Sequence, residues 1–107
     1  MAQSASSPAR EAIRGTVPML AEYADKIIYG EVWERPQLSK RDRSLITCSA
    51  LIATGRYEQL RGHLARALTN GGTKEEISEL ITHLAFYAGW PSAMTAATLA
   101  KEVFAAS

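Results

Sequence analysis

Cysteine is almost absent from this chain: Cys48 stands alone. One thiol cannot build an intrachain disulfide framework, a CxxC redox pair or a multi-cysteine zinc site. A charge excess is missing too, since 12 Lys and Arg stand against 11 Asp and Glu. That balance argues against a nucleic-acid binder, which carries a basic surplus on one face. No long hydrophobic run occurs. The most apolar stretch, residues 45–54, is about half the length of a spanning helix and contains Thr47 and Ser49, so no membrane span is expected. The first eight residues lack the apolar centre of a secretory signal. There is no glycine-rich phosphate loop, no GxSxG elbow and no HExxH pair. What is present is apolar material, 47% of 107 residues, enough for the core of one domain and too much for a disordered tail. The expectation is a small soluble cytoplasmic protein with no nucleic-acid or membrane partner.

Residues 1–8, rich in Ser and Ala, read as a flexible leader, and residues 9–107 as one helical domain. Pro8–Arg14 forms a short helix broken by Gly15. Residues 18–29 form a second, with Leu20, Ala24, Ile27 and Ile28 roughly on one face and Gly30 ending it. Pro36 drives Arg35 out of helical dihedrals, so residues 30–38 are a connecting loop. Ser39 opens a helix in a capping-box pattern that runs to Thr54. Its body is apolar nearly all round, which predicts burial on most faces. Residues 56–69 carry Leu60, Leu64 and Leu68 at spacing four and end at Asn70-Gly71-Gly72. Thr73 to Glu76 is a second capping box. It opens a helix with Ile77, Leu80, Ile81, Leu84 and Ala85 on one face, closed by Gly89. Pro91 suits the first turn of the last helix, whose small face is Ala93, Ala96, Ala97 and Ala100, with Met94 and Phe104. No segment alternates with period two, so the fold class is all-α, a single-domain bundle of about five to six helices. An apolar central helix and an Ala-rich last one suggest further burial in a homo-oligomer.

The chain has two histidines, His63 and His83, each at the margin of an apolar stripe. Either is a histidine packed at a helix–helix seam, or a general acid or base that titrates near working pH. Arg35, Arg41 and Arg43 crowd the loop and first turn of the central helix. They read as a solvated surface or as a carboxylate-binding cluster. The two-pronged guanidinium and the helix N-terminus favour the second. Glu31 and Glu34 flank Trp33, as ion-pair partners of those arginines or as an acid–base pair. Cys48 is a core residue. The two histidines lie on different helices without flanking carboxylates at ligand spacing, so no metal site is expected.

Four runs in order resemble the carboxymuconolactone decarboxylase family: Tyr29-Gly30-Glu31-Val32-Trp33-Glu34-Arg35-Pro36, Leu38-Ser39-Lys40-Arg41-Asp42-Arg43-Ser44-Leu45, Arg61-Gly62-His63-Leu64-Ala65-Arg66-Ala67-Leu68-Thr69-Asn70-Gly71, and His83-Leu84-Ala85-Phe86-Tyr87-Ala88-Gly89-Trp90-Pro91. The resemblance covers roughly residues 20–105. It implies an alkylhydroperoxidase D-like helical fold, a homo-oligomer (a trimer or a hexamer), and cofactor-free loss of CO2 from γ-carboxymuconolactone to give β-ketoadipate enol-lactone in aromatic catabolism. Peroxidase relatives carry CxxC and then, after three intervening residues, a histidine. Aligning that histidine with His63 puts their cysteines at Arg56 and Gln59, so thiol peroxidase chemistry is excluded. The implied site is His63, His83 and Glu31 as catalytic groups, with Arg35, Arg41, Arg43, Trp33 and Tyr87 binding a small carboxylated substrate. The alternatives are a cofactor-free tautomerase or isomerase on a carboxylated ring and a non-catalytic oligomeric member.

Overall fold

The computed structural model describes residues 7–107. Among them there are six α-helices and no strand. The expected leader falls mostly on residues 1–6, outside the described ones. Ser7 already caps α1 (Pro8–Arg14), its hydroxyl accepting from the Arg10 amide at 3.2 Å, and Pro8 begins the helix.

The chain divides into two units, one ending at Leu38 and one spanning Ser39–Ser107. The first holds α1 and α2 (Pro18–Tyr23). The sequence predicts one helix through Tyr29, and here the structure differs. From Ala24 to Ile28 the backbone widens into a π-helix, and Val32–Glu34 is a 3-10 turn. Gly30 is required at the junction, because a Cβ there would lie 2.5 Å from the Lys26 carbonyl oxygen. Polar groups tie the unit together. Asp25 receives Arg14 at 2.8 Å and lies 3.4 Å from Arg10, whose guanidinium sits 4.3 Å from the centre of the Tyr29 ring.

The second unit is a four-helix bundle of α3 (Lys40–Ala53), α4 (Tyr57–Thr69), α5 (Lys74–Leu84) and α6 (Trp90–Ala106). Its boundaries follow local chemistry. The Ser39 hydroxyl accepts the Asp42 amide at 3.0 Å, one half of the expected capping box. Asp42 has a shorter side chain than the Glu or Gln that completes a box. Thr73 and Glu76 form both halves of theirs, each bond 3.0 Å. Gly71, at φ 103°, turns the chain out of α4, a left-handed conformation that glycine adopts without strain.

The core contains Cys48, Ile52, Leu60, Leu64, Ala67, Ile77, Ile81, Ala93, Ala96, Ala100 and Val103, contributed by all four helices. The small face of α6 is largely buried as read, although Ala97 and Met94 point outward. The central helix is corrected. α3 buries a single line, Ser44, Cys48 and Ile52, while Ile46 is 55% exposed and Ala50 and Ala53 are exposed too. Apolar residues on a helix are not buried when no neighbour reaches that face. α5 also stops earlier than expected. Residues 85–88 form tight turns in which Phe86 and Tyr87 donate to His83 and Leu84 three residues back.

Cys48 has no exposed surface, and burial pushes its thiol up to about 12. The thiolate is the reactive form. We expect no reaction of the folded protein with a disulfide reagent at mildly alkaline pH, and one thiol to react on unfolding. Fast labelling of the native protein would contradict this packing.

Candidate active site

Three of the implied site residues belong to the first unit. Glu31 is exposed, and its amide donates to the Ile27 carbonyl at 3.1 Å. Trp33 is 6% exposed and stacks on Tyr29 with ring centres 5.7 Å apart. Arg35 is exposed and closes the 3-10 turn, its amide donating to Val32 at 3.2 Å.

The others lie in the second unit, and the structure separates them into two places. The first is the seam of α3 and α4. The Asn70 amide group donates to the buried Ser44 hydroxyl at 2.9 Å, fixing the register of these helices. Along the seam, Arg43 on α3 and His63 and Arg66 on α4 are all half-buried. Arg43 Nε, His63 Nδ1 and Arg66 Nη1 are buried nitrogen atoms. Burial, and then the positive charge of Arg66, lower the pKa of His63 below its ordinary value of 6.5. Both effects favour the neutral imidazole at neutral pH.

The second place is a cleft of about 350 Å³ between α3 and α5, lined by Arg41, Ser49, Glu76, Glu79 and His83 over Leu45, Leu80 and Leu84. Arg41 already has carboxylate partners here. It pairs with Asp42 at 2.6 Å and closely with Glu76, 35 residues away. That pairing raises the Arg41 pKa, while the Thr73 amide and then Arg41 lower the pKa of Glu76. His83 is exposed in the last turn of α5 and stacks on Tyr87, ring centres 4.8 Å apart. The seam-packed reading of His83 is thereby corrected: α5 turns it outward. Tyr87 is 79% exposed. His63 does not line this cleft.

Sequence reasoning passed over two residues. Glu76 was read only as half of a capping box, yet its second carboxylate oxygen holds Arg41. Arg66 drew no notice, although a spacing of three from His63 on a helix places the two side chains side by side. A larger cleft of about 560 Å³ between α4 and α6, crossed by the Arg61–Glu102 ion pair, contains none of the expected site residues. Among the described residues no group of three His, Cys, Asp or Glu side chains could hold a metal ion. No helix there is long and apolar enough to cross a membrane.

His63 is thus a half-buried histidine on a helix that also carries Arg66. The model of the carboxymuconolactone decarboxylase family matches residues 18–102, and the chain belongs to that family. Among its relatives, it is 45% identical over 82 residues to 4-carboxymuconolactone decarboxylase of Acinetobacter baylyi, covering 77% of this chain and 61% of that one. It is 36% identical over 74 residues to a nitrosuccinic acid decarboxylase of Metarhizium robertsii, covering 69% and 52%. It is 31% identical over 96 residues to an uncharacterized 15.0 kDa protein of Paracoccus denitrificans, covering 88% and 72%. The chain thus spans little more than half the length of the two decarboxylases it matches.

Proposed function

We propose that this protein is a cofactor-independent decarboxylase acting on a carboxylated lactone, in the manner of the Acinetobacter relative's named activity. The observation that carries the reading is 45% identity over 82 residues to that enzyme, a span that accounts for 77% of this chain. Two relatives named as decarboxylases of different acids support the reaction type more than any one substrate.

The chemistry asks little of the protein beyond positioning and proton transfer. The bond from a ring carbon to the carboxylate breaks, and CO2 leaves. The electron pair passes through the ring double bond to the lactone carbonyl, giving a dienolate. A proton is then delivered to a ring carbon, and the product is the enol-lactone. The substrate's own carbonyl is the electron sink.

In this reading His63 is the general acid. Arg43 holds a carboxylate, with Arg35 and Arg41 as further cationic groups, although Arg41 must then share itself with Glu76. His83 or Tyr87 donates to the developing oxyanion. Trp33 is assigned to an apolar wall, and Glu31 completes the proposed set. Mass analysis of the product tests the reaction type. Loss of CO2 supports the decarboxylase, and a product of unchanged mass supports a tautomerase or isomerase instead.

The protein acts as a homo-oligomer, a trimer or a hexamer, in the cytoplasm. Phe86, Tyr87, Trp90 and Met94 are 58–79% exposed around the turn from α5 to α6, and Phe86 meets Trp90 edge-on at 5.9 Å. A cluster of large apolar side chains in water marks an interaction surface. We expect Trp90→Glu to sediment as a smaller species than the parent. Unchanged sedimentation would place any contact between copies elsewhere.

A further inference from the structure

We propose that a cleft between α5 and α6 binds a small ring carboxylate, with Lys101 holding the acid group. The cleft measures about 390 Å³. Sites for small molecules run from about 300 to 1,000 Å³. None of the implied catalytic or substrate-binding residues lines it, so this site stands apart from the decarboxylase reading and does not depend on it.

Charge separates this cleft from the two already described. The α4–α6 cleft has Arg61, but also Glu58 and Glu102, and Glu102 engages the guanidinium. The α3–α5 cleft has Arg41, held by Asp42 and Glu76, and a further carboxylate in Glu79. The α5–α6 cleft has Lys101 and no acidic side chain. Glu79 and Glu102 follow Ser78 and Lys101 in sequence, yet they line the other two clefts. Among the described residues the Lys101 ammonium makes no hydrogen bond or ion pair. Lys74 adds positive potential at one end, its ammonium 5.8 Å from the centre of the Phe104 ring and donating to the Phe104 carbonyl at 3.3 Å. An anion is therefore the charge complement of this cleft.

The rest of the lining selects the body of the ligand. Ile81 and Ala100 are buried, and with Ala97 they form an apolar floor. The two alanines of α6 end at Cβ and leave room above the helix. Phe104, half-buried, supplies an aromatic wall suited to a ring. The Thr82 hydroxyl donates to the Ser78 carbonyl at 2.9 Å. The Ser78 hydroxyl has no such partner among the described residues and can donate to a carboxylate oxygen beside Lys101. An exposed ion pair alone binds weakly. Recognition thus needs the ring on the floor as well as the acid on the lysine.

Equilibrium dialysis of the full chain with labelled benzoate tests this. One benzoate should bind per chain. Unlabelled cyclohexanecarboxylate should displace it, while acetate and benzyl alcohol at the same concentration should not. Lys101→Gln should weaken binding about three- to tenfold, the scale of one partly solvated charge-assisted contact. Lys101→Glu should abolish it. Ala97→Trp, at an exposed position, should also abolish it by filling the cleft, with the helical circular dichroism of the parent retained. No binding to the parent would overturn the proposal. So would binding that survives Lys101→Glu and Ala97→Trp, or binding that is lost in Arg43→Gln, which would put the acid at the α3–α4 seam. Displacement by acetate as effective as by cyclohexanecarboxylate would overturn the choice of a ring.

Discussion

His63→Gln is expected to lower kcat by about 10²–10⁴-fold while leaving the fold intact, the range associated with loss of a positioned general acid. The half-buried imidazole sits in the seam of α3 and α4, so glutamine fills much of its volume and keeps a polar group there. Substrate affinity should change far less than turnover, because the arginines that hold the acid remain. The same variant carries a stability signature. The folded pKa of His63 lies below its ordinary 6.5, so its contribution is complete above that pH and is lost as pH falls through the depressed value. Urea unfolding of the parent should weaken across that window, and His63→Gln should lack this step. Normal turnover in the variant would remove His63 from the mechanism.

Leu64→Ala is expected to cost about 2–5 kcal/mol of folding stability. Leu64 has no exposed surface and lies in the core of the four-helix unit. Truncation removes buried methyl groups and leaves a cavity that surrounding helices only partly close. Small domains hold only about 5–15 kcal/mol in total, so the variant should be visibly fragile. Urea midpoints at one fixed protein concentration check this, since association adds to apparent stability. A loss below about 1 kcal/mol would contradict the packing described for α4.

The helix ends were legible because single residues set them. Ser39 and Thr73 accept amides that have no partner in the first turn of a helix, and Gly71 takes a left-handed turn. Pro8 and Pro91 stand in first turns, where a missing amide hydrogen costs nothing. The π-helix at Ala24–Ile28 was not legible, since one wider turn barely changes which residues share a face. The exposed side of α3 was misread for a related reason. Apolar character in Ile46, Ala50 and Ala53 does not say whether a neighbour reaches them.

His63 was legible as a site residue through the run that surrounds it. The place of Arg66 three residues further along α4 was readable in the spacing, but charged helix residues are usually solvated and the arginine was passed over. The Arg41–Glu76 pair joins residues 35 apart and depends on how α3 and α5 pack, which no local pattern encodes. Within one chain, His83 lines the α3–α5 cleft and His63 does not, a separation that depends on helix packing and not on local pattern.

The most direct measurement is CO2 release from freshly generated γ-carboxymuconolactone by the purified protein, dialysed against chelator, beside a control without protein. Rapid release that is unaffected by the chelator is the expected result. A folded protein that releases CO2 no faster than the control would contradict decarboxylation of this lactone.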